Sequence, residues 1–177
     1  LNGFYEREMP NEETRPLFEE AARLQIGFHL GFAELTEENG KFHRYNTAIL
    51  VDPSGHVIGK YRKIHLPGHA EEDPKRMFQH LEKRYFDVGN LGFKVWKAMG
   101  GLIGILICND RRWPEAFRVL GLQGVELVLI GYNTPTLNGL LFEPPHLRAF
   151  HNHLSMQAGA YQNGAWVVGV AKAGREE

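Results

Sequence analysis

Cys108 is the only cysteine among the 177 residues, and its surroundings are typical of a nucleophile. It follows the apolar run 102–107 and precedes the polar residues 109–112, so a predicted strand ends at the sulfur. A helix start predicted at 113–115 places unpaired backbone N–H groups nearby, and such groups favour a thiolate. The alternative is a core thiol, because free cysteine is often buried. Position alone leaves both interpretations open.

Two charged residues upstream could serve such a nucleophile, which needs a proton acceptor and a positive or N–H group for the developing oxyanion. Lys63 follows the predicted strand 56–61 and could project over the same sheet edge as Cys108. Glu82 could pair with Lys63. The alternative for both is a solvated position, because most lysines are exposed and Glu82 stands among basic neighbours.

The first half of the chain must position Lys63. Its patterns predict a surface helix over 11–24, a strand over 26–35, a hairpin of strands 45–51 and 56–61 around a Pro-Ser-Gly turn, and a long irregular excursion over 66–81.

The second half of the chain must position Cys108. Two apolar runs, 102–107 and 125–130, flank a helical stretch over 114–120, which predicts a parallel βαβ unit in a sheet covered on both faces. A right-handed crossover brings Cys108 and residues 132–134 to one sheet edge, where open α/β sheets bind ligands. A further helix is predicted over 145–161 and a strand over 166–171. That helix carries a stripe of Leu147, Phe150, Leu154, Ala158 and Tyr161.

The composition excludes several classes of function. With 43% apolar residues, 23% charged residues and a net charge of -1, the chain offers no basic face for nucleic acid or an anionic membrane. It has no run of roughly 20 apolar residues that could span a bilayer. One cysteine cannot form an internal disulfide, which fits a reducing cytoplasm. We therefore expect a cytoplasmic protein with a small-molecule partner.

Three segments resemble the nitrilase superfamily, whose members use a Glu-Lys-Cys triad on a four-layer α-β-β-α sandwich. Residues 61–69 resemble its lysine segment, 82–86 its second-glutamate segment and 107–115 its nucleophile elbow. Within the family, 109–115 and 131–136 are most similar to N-carbamoyl-D-amino-acid amidohydrolases. The resemblance implies an α/β fold, a partial sandwich forming a single carbon-nitrogen hydrolase domain over residues 1–177 that is incomplete at both ends, and assembly as a homo-oligomer.

The resemblance also implies a reaction, in which the Cys108 thiolate attacks a carbamoyl carbonyl and water cleaves the resulting intermediate. The products would be an amino acid, ammonia and carbon dioxide. Lys63 and the backbone N–H of Asn109 would hold the oxyanion. Glu82 would complete the catalytic group, and no cofactor or metal is implied.

Substrate contacts follow from the same resemblance. Arg111 and Arg112 would meet the substrate carboxylate, because a guanidinium binds carboxylates bidentately. One of two adjacent arginines usually points elsewhere, and we favour Arg112. Asn133 and Thr134, at the next strand end, would complete the contacts.

Three histidines are expected near the site as supporting residues: His65, His80 and His151. For His151 a core position is the favoured alternative, because it neighbours the apolar stripe of its helix. Metal sites could be drawn from His65 with His69 or from His151 with His153, but neither pair has the carboxylate or thiol partners that make a zinc pattern specific.

Members of the superfamily that this chain resembles use a glutamate as the general base. No motif in the chain corresponds to that glutamate, so we expect it upstream of Leu1. We therefore expect the isolated 177 residues to be inactive. Three alternatives remain: an amidase or carbamoyl-polyamine hydrolase with the same triad, a non-catalytic homologue that lacks the base, and a papain-like enzyme in which His65 reaches Cys108.

Overall fold

The computed structural model describes residues 2–76, 79–134 and 144–174. After a short 3₁₀ turn at Asn2–Phe4, the elements are α1 (Arg15–Leu24), β1 (Phe28–Glu38), β2 (Lys41–Val51), β3 (Val57–Arg62), α2 (Glu82–Tyr85), β4 (Val95–Ala98), β5 (Gly101–Ile107), a 3₁₀ turn (Cys108–Arg112), α3 (Pro114–Leu122), β6 (Leu127–Tyr132), α4 (Pro145–Asn163) and β7 (Trp166–Ala171).

The strands form two sheets, which we call sheet A and sheet B. Sheet A is antiparallel in the order β1-β2-β3, and sheet B has the order β4-β5-β6-β7. In sheet B, β4 runs antiparallel to β5, whereas β5, β6 and β7 are parallel. The predicted βαβ unit is therefore confirmed, because β5 and β6 pair in parallel with α3 between them along the chain.

Helices cover both sheets on the outside. On sheet A, Phe18 of α1 packs with Ile49 of β2. Between the sheets, Leu50 of β2 and Ile105 of β5 belong to one buried cluster. On the far side of sheet B, Phe117 of α3 packs with the outward residues of β5 and β6. The layers are α-β-β-α, as expected.

Both hairpin turns of sheet A depend on left-handed backbone positions. The predicted β2–β3 turn is present, with Gly55 at φ 82° and the Asp52 carboxylate accepting the Ser54 and His56 N–H groups. The β1–β2 turn, at Asn39 and Gly40, has φ values of 53° and 72°. The pattern analysis missed this ribbon because residues 36–44 are mostly polar and show no apolar alternation.

Helix α4 packs with a different face from the one its apolar pattern suggests. Within α4, only Arg148 and Gly159 are buried, whereas Leu147, Phe150, Leu154 and Tyr161 are exposed. The reason is visible at Gly159, where a Cβ atom would lie 2.7 Å from the Phe117 ring of α3. A residue without a side chain lets the two helices approach there, so the apolar stripe faces outward.

The excursion over 66–81 is irregular in its described part, and positions 77 and 78 lie outside the described residues. No helix in the described ranges combines the length and apolar character needed to cross a bilayer.

A buried ion network ties the three strands of sheet A together. Glu34 of β1 accepts hydrogen bonds from Thr47 at 2.7 Å, from Lys60 Nζ at 2.8 Å and from Arg62 Nε at 2.8 Å. The Arg62 guanidinium also lies 4.1 Å from the Tyr45 ring centre. Burial alone would raise the pKa of Glu34, but these hydrogen bonds outweigh it and bring the pKa to about 2.

We expect this network to make the chain acid-sensitive. The ionised Glu34 stabilises the folded state above its ordinary pKa of 4.5, and this contribution declines as the pH falls from 4.5 toward 2. Chemical denaturation of the parent and of Glu34→Gln, at pH 7 and pH 3, measures the effect. The difference in unfolding free energy between them should shrink at the lower pH. An unchanged difference would show that Glu34 is not the titrating group.

Candidate active site

Cys108 stands on a strained turn directly after β5. Its φ angle is 47°, in the left-handed region that non-glycine residues seldom adopt, and it opens the 3₁₀ turn Cys108–Arg112. The residue is partly exposed, and its Sγ lies 3.8 Å from Nη1 of Arg111. A partly exposed sulfur beside a positive charge is the setting in which reactive cysteines occur. The core-thiol alternative does not fit this exposure.

Lys63 and Glu82 form a close ion pair. Nζ of Lys63 donates to Oε1 of Glu82 at 2.6 Å, and the Asn46 side chain donates to the same oxygen at 3.0 Å. The Lys63 side chain is 1% exposed, and its backbone N–H donates to the Asn46 carbonyl at 2.8 Å. The solvated alternative for this pair is therefore wrong. Lys63 is held directly after β3, at the edge where β5 also ends.

Two adjoining cavities surround these residues. Cys108, Glu82 and Asn133 line both of them. One cavity, named the inner cavity here, has a volume of about 320 Å³ and includes Lys63. The other, named the outer cavity here, has a volume of about 460 Å³ and includes Arg112. The two cavities thus meet at Cys108 and Glu82, with Lys63 lining one of them and Arg112 the other.

Arg111 is buried, and its guanidinium is hydrogen-bonded within the protein. It is 1% exposed, and its three nitrogens donate to the Asn152 side chain at 2.6 Å, to the Cys108 carbonyl at 2.5 Å and to the Thr134 hydroxyl at 2.9 Å. Its guanidinium lies 4.4 Å from the Tyr132 ring centre. Burial lowers the pKa of Arg111, although the neighbouring Cys108 opposes this shift. These contacts hold Cys108 and Thr134 in place, and because Arg111 also lines the outer cavity, its role as a substrate anchor stays a prediction.

Arg112 is placed differently. It is exposed and lines the outer cavity. Within the described ranges it forms no hydrogen bond or ion pair. Both adjacent arginines line this cavity, and Arg112 is the one whose guanidinium has no described hydrogen-bond partner.

The remaining predicted substrate contacts also line the outer cavity, but their side chains partly serve the protein. The Asn109 amide donates to the His65 carbonyl at 3.0 Å. The Thr134 hydroxyl accepts from Arg111, and Asn133 lies beside it. Asn109 therefore links the nucleophile turn to the lysine segment through its side chain, which leaves its backbone for an oxyanion.

His65 supports the site from outside the two cavities. Its Nδ1 lies 3.0 Å from Oδ1 of Asp110, and its ring stacks on Phe93 and Trp113 with centres 5.8 and 5.5 Å away. His65 makes no hydrogen bond to Cys108 among the described residues. A papain-like pairing therefore has no support in this geometry.

His80 and His151 have different positions. His80 lines the outer cavity, and burial lowers its pKa. His151 is exposed on α4, its ring 5.6 Å from that of Phe150, and it lines neither cavity. The core position expected for His151 is wrong because the apolar stripe beside it faces outward.

Asp110 is the main residue that the sequence analysis missed. It is completely buried and accepts hydrogen bonds from the Tyr61 hydroxyl at 2.8 Å, the Ile107 N–H at 3.0 Å and the His65 N–H at 3.0 Å. Burial first, and then the charge of Asp110, raise the pKa of Tyr61. This clamp joins the end of β5 to the segment that carries Lys63. An acidic residue two positions after the nucleophile was the available signal.

His29 is a second residue that the sequence analysis left without a role. It lines the inner cavity, and its ring lies 3.3 Å from the point where a Gly131 side chain would begin. Burial lowers the pKa of His29, so the ring is neutral at neutral pH. In the described ranges, no three His, Cys, Asp or Glu side chains are grouped so that they could hold a metal ion.

Comparison with known proteins gives the same assignment as the motifs. A family model described as carbon-nitrogen hydrolase matches residues 2–177. A citrullinase from Francisella tularensis is 38% identical over 103 residues, which are 58% of this chain and 31% of that protein. An N-carbamoylputrescine amidase from Solanum lycopersicum is 39% identical over 92 residues, 52% of this chain and 28% of that protein.

Solved structures extend the comparison to the fold. The crystal structure of a carbon-nitrogen hydrolase from Helicobacter pylori superposes with a TM-score of 0.77 and 26% identity, over 93% of this chain and 53% of that one. An amidase from Nesterenkonia, 23% identical with a TM-score of 0.66, shares the fold. The chain spans less than a third of the two relatives matched by sequence and about half of the Helicobacter pylori structure. With a family model that matches nearly its whole length, the chain belongs to the carbon-nitrogen hydrolase family, the nitrilase superfamily.

Proposed function

We propose that the full-length protein carrying this chain hydrolyses the carbamoyl C–N bond of N-carbamoyl amino acids, with Cys108 as the nucleophile. The observation that carries the proposal is that Cys108 and the Lys63-paired Glu82 line two adjoining cavities, one of which includes Lys63 and the other Arg112. We assign the activity to the full-length protein because the chain spans about half of a solved relative.

In the proposed reaction, the thiolate of Cys108 forms a C–S bond with the carbamoyl carbon, and the carbonyl oxygen becomes an oxyanion. Collapse of this intermediate breaks one C–N bond and releases a protonated amine. Water then attacks the thiol-bound carbonyl and restores the thiol. The resulting carbamic acid splits into carbon dioxide and the second amine. One substrate and one water thus give an amino acid, ammonia and carbon dioxide.

The surrounding groups divide the remaining tasks. Lys63 and the backbone N–H of Asn109 stabilise the oxyanion. Glu82 holds the Lys63 ammonium in place. Glu82 is the only carboxylate that lines either cavity in the described ranges, and it already accepts from Lys63 and Asn46. We therefore propose that the general base that deprotonates Cys108 lies outside the described residues.

The choice of an N-carbamoyl amino acid has two supports. Two relatives are named N-carbamoylputrescine amidase and beta-ureidopropionase, and these names refer to a carbamoyl and a ureido group. Arg112 supplies a guanidinium for a substrate carboxylate at the mouth of the cavity. The similarity of 109–115 to N-carbamoyl-D-amino-acid amidohydrolases leads us to propose the D enantiomer. Ammonia release from matched D and L substrates tests this part.

A carbamoyl-polyamine substrate is the second candidate, because the N-carbamoylputrescine amidase is 39% identical over the matched residues. A polyamine carries no carboxylate, so the two candidates make different demands on Arg112.

We expect Arg112→Ala to raise the KM for N-carbamoyl amino acids by about 10- to 100-fold, because a charge-assisted hydrogen bond to the substrate is lost. Steady-state kinetics of the full-length protein measures this change. Arg118→Ala, an exposed arginine on α3, is the matched control and should leave the KM unchanged. If N-carbamoylputrescine is hydrolysed with a KM that neither substitution changes, the carbamoyl-polyamine is favoured as the substrate instead.

A further inference from the structure

We propose that Asn152 of α4 is a positioning residue for the nucleophile, which it holds in its reactive orientation through the guanidinium of Arg111. This inference rests on the proposed function, because it concerns the reaction assigned there to Cys108. Asn152 lines neither the inner nor the outer cavity, so it would act on the reaction without touching the substrate.

The backbone of Cys108 needs support from both sides. Its φ of 47° is in the left-handed region, and a non-glycine residue keeps such a conformation only where neighbouring contacts enforce it. On the strand side, Asp110 accepts the Ile107 N–H at 3.0 Å. On the other side, Nη1 of Arg111 donates to the Cys108 carbonyl at 2.5 Å and lies 3.8 Å from Sγ. Arg111 therefore fixes the turn and also sets the charge beside the sulfur.

The direction of the Arg111 guanidinium depends in turn on Asn152. Oδ1 of Asn152 accepts from Nε of Arg111 at 2.6 Å. Nδ2 of the same amide donates to the Tyr132 hydroxyl at 3.2 Å, and the guanidinium carbon lies 4.4 Å from the centre of the Tyr132 ring. An amide can accept and donate at the same time. Asn152 thus orders both the guanidinium and the ring over which it lies.

The packing of α4 explains why Asn152 reaches the turn that carries the nucleophile. Asn152 follows the buried Arg148 by four residues and precedes the buried Gly159 by seven, so the three lie on one face of the helix. This face is turned toward the protein because Gly159 lets the Phe117 ring approach, whereas the apolar stripe faces outward. The packing that exposes the stripe is therefore the packing that places Asn152 against Arg111.

The test replaces Asn152 by alanine in the full-length protein and follows the nucleophile directly. We expect kcat for an N-carbamoyl amino acid to fall about 10- to 100-fold, with KM within about threefold of the parent, because a displaced reacting group slows the chemical step. The rate at which iodoacetamide alkylates Cys108 at neutral pH should fall at least about fivefold, because the sulfur loses the positive charge beside it. Mass spectrometry of the peptide that contains Cys108 measures this rate.

Three further variants complete the comparison. Asn152→Asp keeps an oxygen that can accept from Nε of Arg111, so kcat and the alkylation rate should stay within about threefold of the parent. Gln157→Ala removes an amide at an exposed position of the same helix, outside both cavities, and should change neither quantity. If Asn152→Ala does not fold, Asn152→Ser, whose side chain ends one bond earlier than that of asparagine, gives the same comparison.

The outcomes separate this inference from the proposed function. If the parent hydrolyses no N-carbamoyl amino acid, the proposed function fails, and the alkylation rates alone decide the role of Asn152. If Asn152→Ala is alkylated at the parent rate, or loses activity only through a higher KM, Asn152 does not position the nucleophile and the inference is overturned. It is also overturned if Asn152→Asp behaves like Asn152→Ala, or if Gln157→Ala loses as much activity.

Discussion

A Cys108→Ala variant of the full-length protein should hydrolyse N-carbamoyl amino acids on the order of 10⁶-fold more slowly than the parent, as when a covalent nucleophile is removed from a hydrolase. The cause is specific, because the 177 residues contain no other cysteine that could replace the sulfur. Alanine keeps the Cβ atom at the φ of 47° and leaves the Asp110 clamp untouched. Ammonia release measures the rate, and calorimetric titration should show that the variant still binds substrate.

Thiol labelling checks the same assignment without turnover. A poised Cys108 should react with iodoacetamide at neutral pH within minutes, adding one label to the intact mass, and saturating substrate should protect it. Hydrolysis that persists in Cys108→Ala would refute the nucleophile, whatever the labelling result.

The second large effect is expected at Lys63. Replacing Lys63 by methionine should lower kcat by about 10²- to 10³-fold, because the positive charge that meets the oxyanion is lost. The KM should change much less, since this charge acts mainly on the transition state. Steady-state kinetics with an N-carbamoyl amino acid separates the two parameters.

Lys60 provides the matched control for Lys63. It lies three residues earlier, on β3, and its Nζ also pairs with a carboxylate, that of Glu34 at 2.8 Å, but on the far side of sheet A from Cys108. Lys60→Met should reduce stability slightly and leave kcat unchanged. An equal loss of kcat in both variants would mean that Lys63 supports the fold and not the reaction.

Much of the fold could be predicted because the strands of sheet B are buried on both faces. The continuous apolar runs of β5 and β6 indicate such strands, and the short helix between them requires a parallel pair. The turn at Gly55 could be predicted for a different reason, since few residue types other than glycine adopt its left-handed backbone conformation.

Other parts of the fold could not be predicted because a pattern reports that a face is apolar and does not report what it contacts. The stripe of α4 is the clearest case, since its orientation depends on how closely Gly159 lets Phe117 approach. Strand β4 was missed because Val95–Ala98 is short and mixed in character.

The candidate site likewise has parts that could be predicted from the sequence and parts that could not. Cys108, Lys63 and Glu82 could be proposed from residue types and their motifs. The distinction between Arg111 and Arg112 could not, because it depends on which of them reaches Asn152 and Thr134.

The Asp110 clamp has a consequence for how this protein could change during evolution. It joins the turn that carries Cys108 to the segment that carries Lys63, through Tyr61 and the His65 backbone, and none of these clamp contacts involves Arg112. Under the proposed function, substitution of Arg112 would therefore change which substrates bind while the turn that holds Cys108 stays intact. Selection for new substrates would then act on one half of the pocket and purifying selection on the other.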